Sequence, residues 1–89
     1  MKCIWKLNGI VEQIISTQDK FARPYWKVVV KLDSGNVMLF VHDEGLFTTT
    51  IGLRISDQIE VIGEIIPKAN ECNKPYFLNP TEIRVLVQA

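Results

Sequence analysis

Eighty-nine residues make one domain, near the lower end of what folds alone, with little room for a deep active site beside a core. With 47% hydrophobic and 22% charged residues the composition is globular and excludes intrinsic disorder. Ten basic and ten acidic side chains cancel, which argues against a tight stand-alone binder of phosphate backbones but leaves room for a local basic stripe.

Strand signals dominate from the start. Residues 2–15 read as one long strand with Asn8-Gly9 inside it, and a glycine within a strand pattern marks a bulge or a sharp bend. Period two from Trp5 puts Leu7, Gly9 and Val11 on one face; beyond Val11 the register must slip for Ile14 or Ile15 to be buried. Residues 16–24 form the first loop. Tyr25-Trp26-Lys27-Val28-Val29-Val30-Lys31-Leu32 is rich in aromatic and β-branched residues. Asp33-Ser34-Gly35-Asn36 then supplies a tight turn, and Val37-Met38-Leu39-Phe40-Val41 returns as the partner strand. This is the clearest hairpin in the chain.

Residues 43–52 open on Asp43-Glu44 and close on Gly52, as a short helix does, but the threonine run is a poor helix former. A loop with one or two helical turns is expected. Next, Gln58-Ile59-Glu60-Val61-Ile62-Gly63-Glu64-Ile65-Ile66 alternates cleanly: Ile59, Val61, Gly63 and Ile65 on one face, Glu60 and Glu64 on the other. Residues 67–75 read as a polar loop. Tyr76-Phe77-Leu78 and Glu82-Ile83-Arg84-Val85-Leu86-Val87 give a last strand interrupted at Asn79-Pro80, so regular pairing is expected to begin after the proline. Short antiparallel strands in so small a chain need closure to hide their edges.

Cys3 and Cys72 form no C-x-x-C pair, and with His42 alone there is no zinc framework; two reduced thiols are expected, and neither metal nor cofactor. The first residues lack a signal-peptide apolar run, and no apolar stretch approaches the ~20 residues of a membrane span, so a cytoplasmic protein without a membrane partner is expected. His42 stands beside Asp43 and Glu44, but adjacency in sequence is no triad geometry. There is no phosphate-cradling glycine motif either, and the expectation is no enzyme.

Leu7-Asn8-Gly9-Ile10-Val11, the stretch from Leu53-Arg54-Ile55-Ser56-Asp57 through Ile65, and Tyr76-Phe77-Leu78 with Thr81 to Leu86 together resemble an OB-fold domain. The likeness is to the kind found in single-stranded-DNA-binding proteins and tRNA anticodon-binding domains. It spans nearly the whole chain, with Ser56 standing where the family usually has glycine. It implies an all-β, five-stranded Greek-key barrel over residues 1–89, with at most a short helix between strands three and four. It also implies a ligand groove across strands two and three, flanked by the first and last strand-connecting loops.

With Trp26, Val28, Val30 and Leu32 turned inward, Tyr25, Lys27, Val29 and Lys31 face out. With Val37, Leu39 and Val41 inward, Met38, Phe40 and His42 face out. The first loop adds Lys20, Phe21 and Arg23, and the last loop adds Lys68, Lys74 and Tyr76. Exposed rings stack bases and basic side chains track phosphates, so these twelve residues form the expected nucleic-acid surface. Trp5 and Trp26 are assigned to the core by phase. Two readings of Met38 and Phe40 stand: a groove for bases, or an apolar patch packed under a loop or against a partner. A one-residue slip on strand three would bury Phe40 and expose Leu39.

The function these residues imply is a small accessory protein of replication or repair that binds single-stranded nucleic acid, DNA ahead of RNA. The alternative is an OB-fold interaction subunit or homo-oligomer of a larger nucleic-acid-processing complex, using Val29, Met38, Phe40, Ile62 and Ile66.

Overall fold

The computed structural model describes residues 3–67 and 76–89, with the side chains of Tyr76 and Phe77 outside that description. Its five strands are β1 (Ile4–Gln18), β2 (Pro24–Leu32), β3 (Gly35–Val41), β4 (Gln58–Pro67) and β5 (Tyr76–Val87). All neighbouring pairs are antiparallel, in the order β3-β2-β1-β4-β5. The edge strands β3 and β5 come into contact, but among the described residues no ladder joins them. The expected closed barrel is therefore an open sheet whose two edges approach each other without joining. The five-stranded all-β architecture is otherwise the expected one.

β1 belongs to both halves of the sheet: Ile4–Ile10 pair with β4, and Ile10–Gln18 pair with β2. Gly9 allows the bend between them. A β-carbon there would lie 2.5 Å from Val30 Cγ1 and 2.6 Å from the Lys31 carbonyl oxygen, so only glycine admits β2 this close. The slip expected after Val11 falls at Glu12, where the β1–β2 register jumps from Val11↔Val30 to Gln13↔Val29. This bulge decides between Ile14 and Ile15: Ile14 packs against the core, and Ile15 pairs with Lys27 on the outer face. β1 also runs three residues past the expected end, because its pairing with β2 continues to Gln18↔Pro24.

The inner face is filled by Val11, Val28, Val30, Leu39, Val41, Leu53, Ile59, Val61 and Ile83, with Trp5 and Trp26 against them. Both tryptophans are thus where their phase put them. The connection after β3 is a 3-10 turn, Glu44–Leu46, and a five-residue helix α1, Phe47–Ile51. Asp43 caps the turn by accepting the Gly45 N–H at 2.9 Å, and buried Thr50 donates its hydroxyl to the Leu46 carbonyl at 2.8 Å. Among the described residues no helix is long and apolar enough to cross a membrane.

The strap from Leu53 to Asp57 is tied to the bulge. Ser56 N–H donates to the Val11 carbonyl at 2.7 Å, and Val11 N–H donates to the Asp57 carbonyl at 2.9 Å. Asp57 is buried; its carboxylate accepts the Ala89 N–H at 2.8 Å and the Arg54 N–H at 2.9 Å, and these two amides hold its carboxyl below the usual range. Ser56 sits at φ +76°, the left-handed region that serine occupies at a cost and glycine does not. Ser56→Gly is accordingly expected to stabilise the domain by about 0.5–1 kcal/mol, the relief of strain outweighing the greater freedom of the unfolded chain. A thermal midpoint raised by about 2–8 °C would show it; an unchanged or lower midpoint would remove the strain assigned to this residue.

β5 corrects one expectation. Its pairing does not wait for the proline but starts at Tyr76↔Pro67 and runs past Gly63↔Pro80, the irregularity falling between Ile62 and Gly63. β5 is a sheet edge and Pro80 lies at a bulge, the two places where a missing N–H costs least.

Candidate nucleic-acid interface

The central hairpin sets the outer face. Its register, Trp26↔Val41, Lys27↔Phe40, Val28↔Leu39 and Val29↔Met38, buries Val28, Leu39 and Val41 and leaves their neighbours outside. No slip occurs on β3: Leu39 is 2% exposed, Phe40 38% and Met38 47%. The two-residue turn Asp33-Ser34 fixes this phase, with Gly35 at φ +139° taking the conformation the turn demands.

Four of the expected residues meet at one end of the hairpin. The Tyr25 and His42 rings stack, 4.7 Å between centroids and 25° between planes. Phe40 lies 6.2 Å from Tyr25 at 50°. Lys27 Nζ stands 6.0 Å from the Phe40 centroid, within cation–π range. This is a continuous aromatic surface with an ammonium group above it.

A second group sits in the β1–β2 turn, shortened to residues 19–23 by the extension of β1. Phe21 is 65% exposed, and Lys20 Nζ and Arg23 Cζ each lie 5.1 Å from its ring centroid. Lys31, opposite Asn36, is farther along β2, ~13 Å from Lys27 at strand spacing, and borders a shallow cleft with Asn8, Ile10 and Gln58. Met38 is near neither aromatic group in register; it faces Val29. Lys68 and Lys74 lie outside the described residues, and of Tyr76 the structure gives its backbone pairing with Pro67.

The surface is electrically divided. Around β4 and β5 charges cancel locally: Lys6–Glu60 at 3.3 Å and Glu82–Arg84 at 2.6 Å. Among the described residues Lys20, Lys27 and Lys31 make no ion pair with a carboxylate, so their charge is free to act on a ligand. Asp33, Asp43 and Glu44 stand at the ends of β2 and β3 and keep this field modest. His42 contacts the Tyr25 ring, while the neighbouring Asp43 is engaged as a cap, so the two are not arranged as an acid–base pair. Among the described residues no group of three potential metal ligands comes together.

Sequence reasoning missed one strand of the surface. Gln13, Ile15 and Thr17 of β1 pair with Val29, Lys27 and Tyr25 and share their face. The signal was available in the period-two pattern once the slip is placed at Glu12. It also missed Asp19, whose carboxylate organises the turn that carries Phe21.

Strand order, the short helix after β3 and the exposed face of β2 and β3 define an OB fold. No protein-family model matches the sequence, and no curated protein matches it. Solved structures do. The mitochondrial single-stranded DNA binding protein Rim1 from S. cerevisiae (Form1) superposes with a TM-score of 0.78 at 12% identity, covering 100% of both chains. The selenomethionine-labelled Form2 of Rim1 gives 0.73 at 12% identity over 100% of this chain and 99% of that one. Unlabelled Form2 gives 0.72 at 14% over 100% and 98%. At these identities the likeness is one of fold.

Proposed function

We propose that this chain is a small non-catalytic protein that binds single-stranded nucleic acid, DNA in preference to RNA, in an accessory role in replication or repair. The observation that carries this reading is the Tyr25–His42–Phe40 surface beneath Lys27 on the outer face of the hairpin. Bases stack on exposed rings irrespective of sequence, and basic side chains follow the backbone. The fold shared with mitochondrial single-stranded DNA binding proteins supports it, since the groove falls on the same strands in the OB architecture.

The test is a titration of fluorescent oligo-dT, oligo-rU and duplex DNA at two salt concentrations. Contacts from Lys20, Arg23, Lys27 and Lys31 give an expected log–log salt slope of about −2 to −3 for oligo-dT, with weaker binding of oligo-rU and of duplex. No binding of any single strand at low salt sinks the proposal.

A specific observation keeps the interaction-subunit reading alongside. Ile4 and Ile10, 67% and 45% exposed, stand with Ile62 around the locally neutral Lys6–Glu60 pair. Exposed apolar side chains around a neutralised ion pair suit a protein partner or a second copy better than a phosphate backbone. A stable oligomer in light scattering that ignores added oligonucleotide would favour this alternative.

A further inference from the structure

The β1–β2 turn is built around a carboxylate whose charge opposes the ligand proposed above. Asp19 Oδ1 accepts two backbone N–H groups, from Phe21 at 2.8 Å and Arg23 at 3.0 Å. The main chain closes the same loop: Asp19 N–H donates to the Arg23 carbonyl and Ala22 N–H to the Asp19 carbonyl, both at 3.0 Å. The second carboxylate oxygen holds Arg23 Nε at 3.1 Å. Ala22, at φ +62°, is kept in the left-handed region by this set of bonds. The outcome is an exposed phenyl ring with two cations 5.1 Å from its centre, in the turn that leads into Tyr25 on β2.

We propose that Asp19 is a positioning residue for nucleic-acid binding: its Oδ1 fixes the turn that presents Phe21, and this geometry outweighs the repulsion its charge exerts on phosphates. The inference rests on the single-strand-binding reading. A ring on a loose five-residue loop would have to lose chain freedom on each binding event; here that freedom is already lost on folding. Electrostatics alone predicts the opposite sign, since removing an acid from a basic rim strengthens anion binding. The Arg23 amide, more than any other group, holds the Asp19 carboxyl below its ordinary range, so the bonding form persists through neutral and mildly acidic pH.

Two substitutions separate charge from geometry. Asp19→Asn and Asp19→Ala remove the same charge and release the same guanidinium, but only asparagine keeps an Oδ1 to accept both backbone N–H groups. Against oligo-dT, Asp19→Asn is expected to bind about 2-fold tighter than the unaltered chain. Asp19→Ala is expected to bind about 3- to 10-fold weaker than Asp19→Asn at matched folded fraction. Amide hydrogen exchange at Phe21 and Arg23 supplies a readout without ligand: slow in the unaltered chain and Asp19→Asn, fast in Asp19→Ala. Equal affinities for the two variants, or equal exchange at those amides, overturns the positioning role alone. An unaltered chain that binds no single strand overturns the binding reading and this inference with it.

Discussion

Phe40→Ala is expected to weaken binding of oligo-dT about 5- to 150-fold while leaving the domain folded. The ring is 38% exposed, so its removal opens no core cavity, and Leu39 and Val41 on either side keep their inward packing. What it removes is the stacking surface beside Tyr25 and the ring beneath Lys27. A stacked base contributes about 1–3 kcal/mol, the origin of the fold range. Lys27→Glu should act on the same strand differently, lowering affinity and flattening the log–log salt slope by about 0.7 to 1.4, since one phosphate contact is lost and a repulsion added. Phe40→Ala should leave that slope unchanged. Ile55→Ala, a change at an apolar residue 54% exposed and outside the groove, serves as the comparison and should bind as the unaltered chain does. If Phe40→Ala and Ile55→Ala bind oligo-dT alike, the aromatic face is not where the strand lies.

The face itself was legible because it depends on period two alone. Once Val28 and Leu39 face inward, Lys27 and Phe40 must face outward together, and the Asp33-Ser34 turn leaves the register no freedom. Ser56 was legible as an oddity, a serine at a glycine position, and its φ of +76° is the physical content of that oddity. Ile15 was not, since Ile14 and Ile15 are equally apolar and the pattern alone does not place the extra residue at Glu12; hydrogen bonds from the strap to Val11 do. The continuity of β5 through Pro80 was misread because a proline excludes a central strand but not an edge one, and edge status is a property of the assembled sheet. Nor does alternation say whether β3 and β5 pair; among the described residues they do not. Asp19 is not legible in the sequence, because its bonds to the Phe21 and Arg23 amides are a matter of turn geometry that strand periodicity does not reach.

Gly63→Ala is expected to lower the thermal midpoint by about 5–20 °C. Gly63 is buried in β4 opposite Trp5 of β1 and Pro80 of β5. A β-carbon at this residue would fall within contact of the Trp5 indole ring and the Asn79 carbonyl oxygen, closer than real carbons approach. Neither neighbour can yield cheaply. The Asn79 oxygen is backbone in a paired strand, and the indole is held by its Nε1–H donating to the Glu64 carbonyl at 3.0 Å, one residue from the clash. Overpacking of this kind costs about 1–3 kcal/mol, against a total stability of about 4–13 kcal/mol for a chain this long. Gly52→Ala is the contrast: its β-carbon would sit 3.5 Å from the Thr49 carbonyl oxygen, ordinary contact, and φ is −83°. That variant should melt within a few degrees of the unaltered chain. Trp5→Leu in the Gly63→Ala background should recover part of the loss, because the two residues compete for one volume, whereas independent sites would add. The loss also falls on one side of the bend at Gly9. It loosens the β1–β4 ladder and leaves the β2–β3 face intact in every molecule that remains folded, so oligo-dT affinity per folded chain should not change. A Gly63→Ala chain that melts with Gly52→Ala would mean that the indole moves aside freely, and that the core end of β1 is looser than its hydrogen bond to Glu64 indicates.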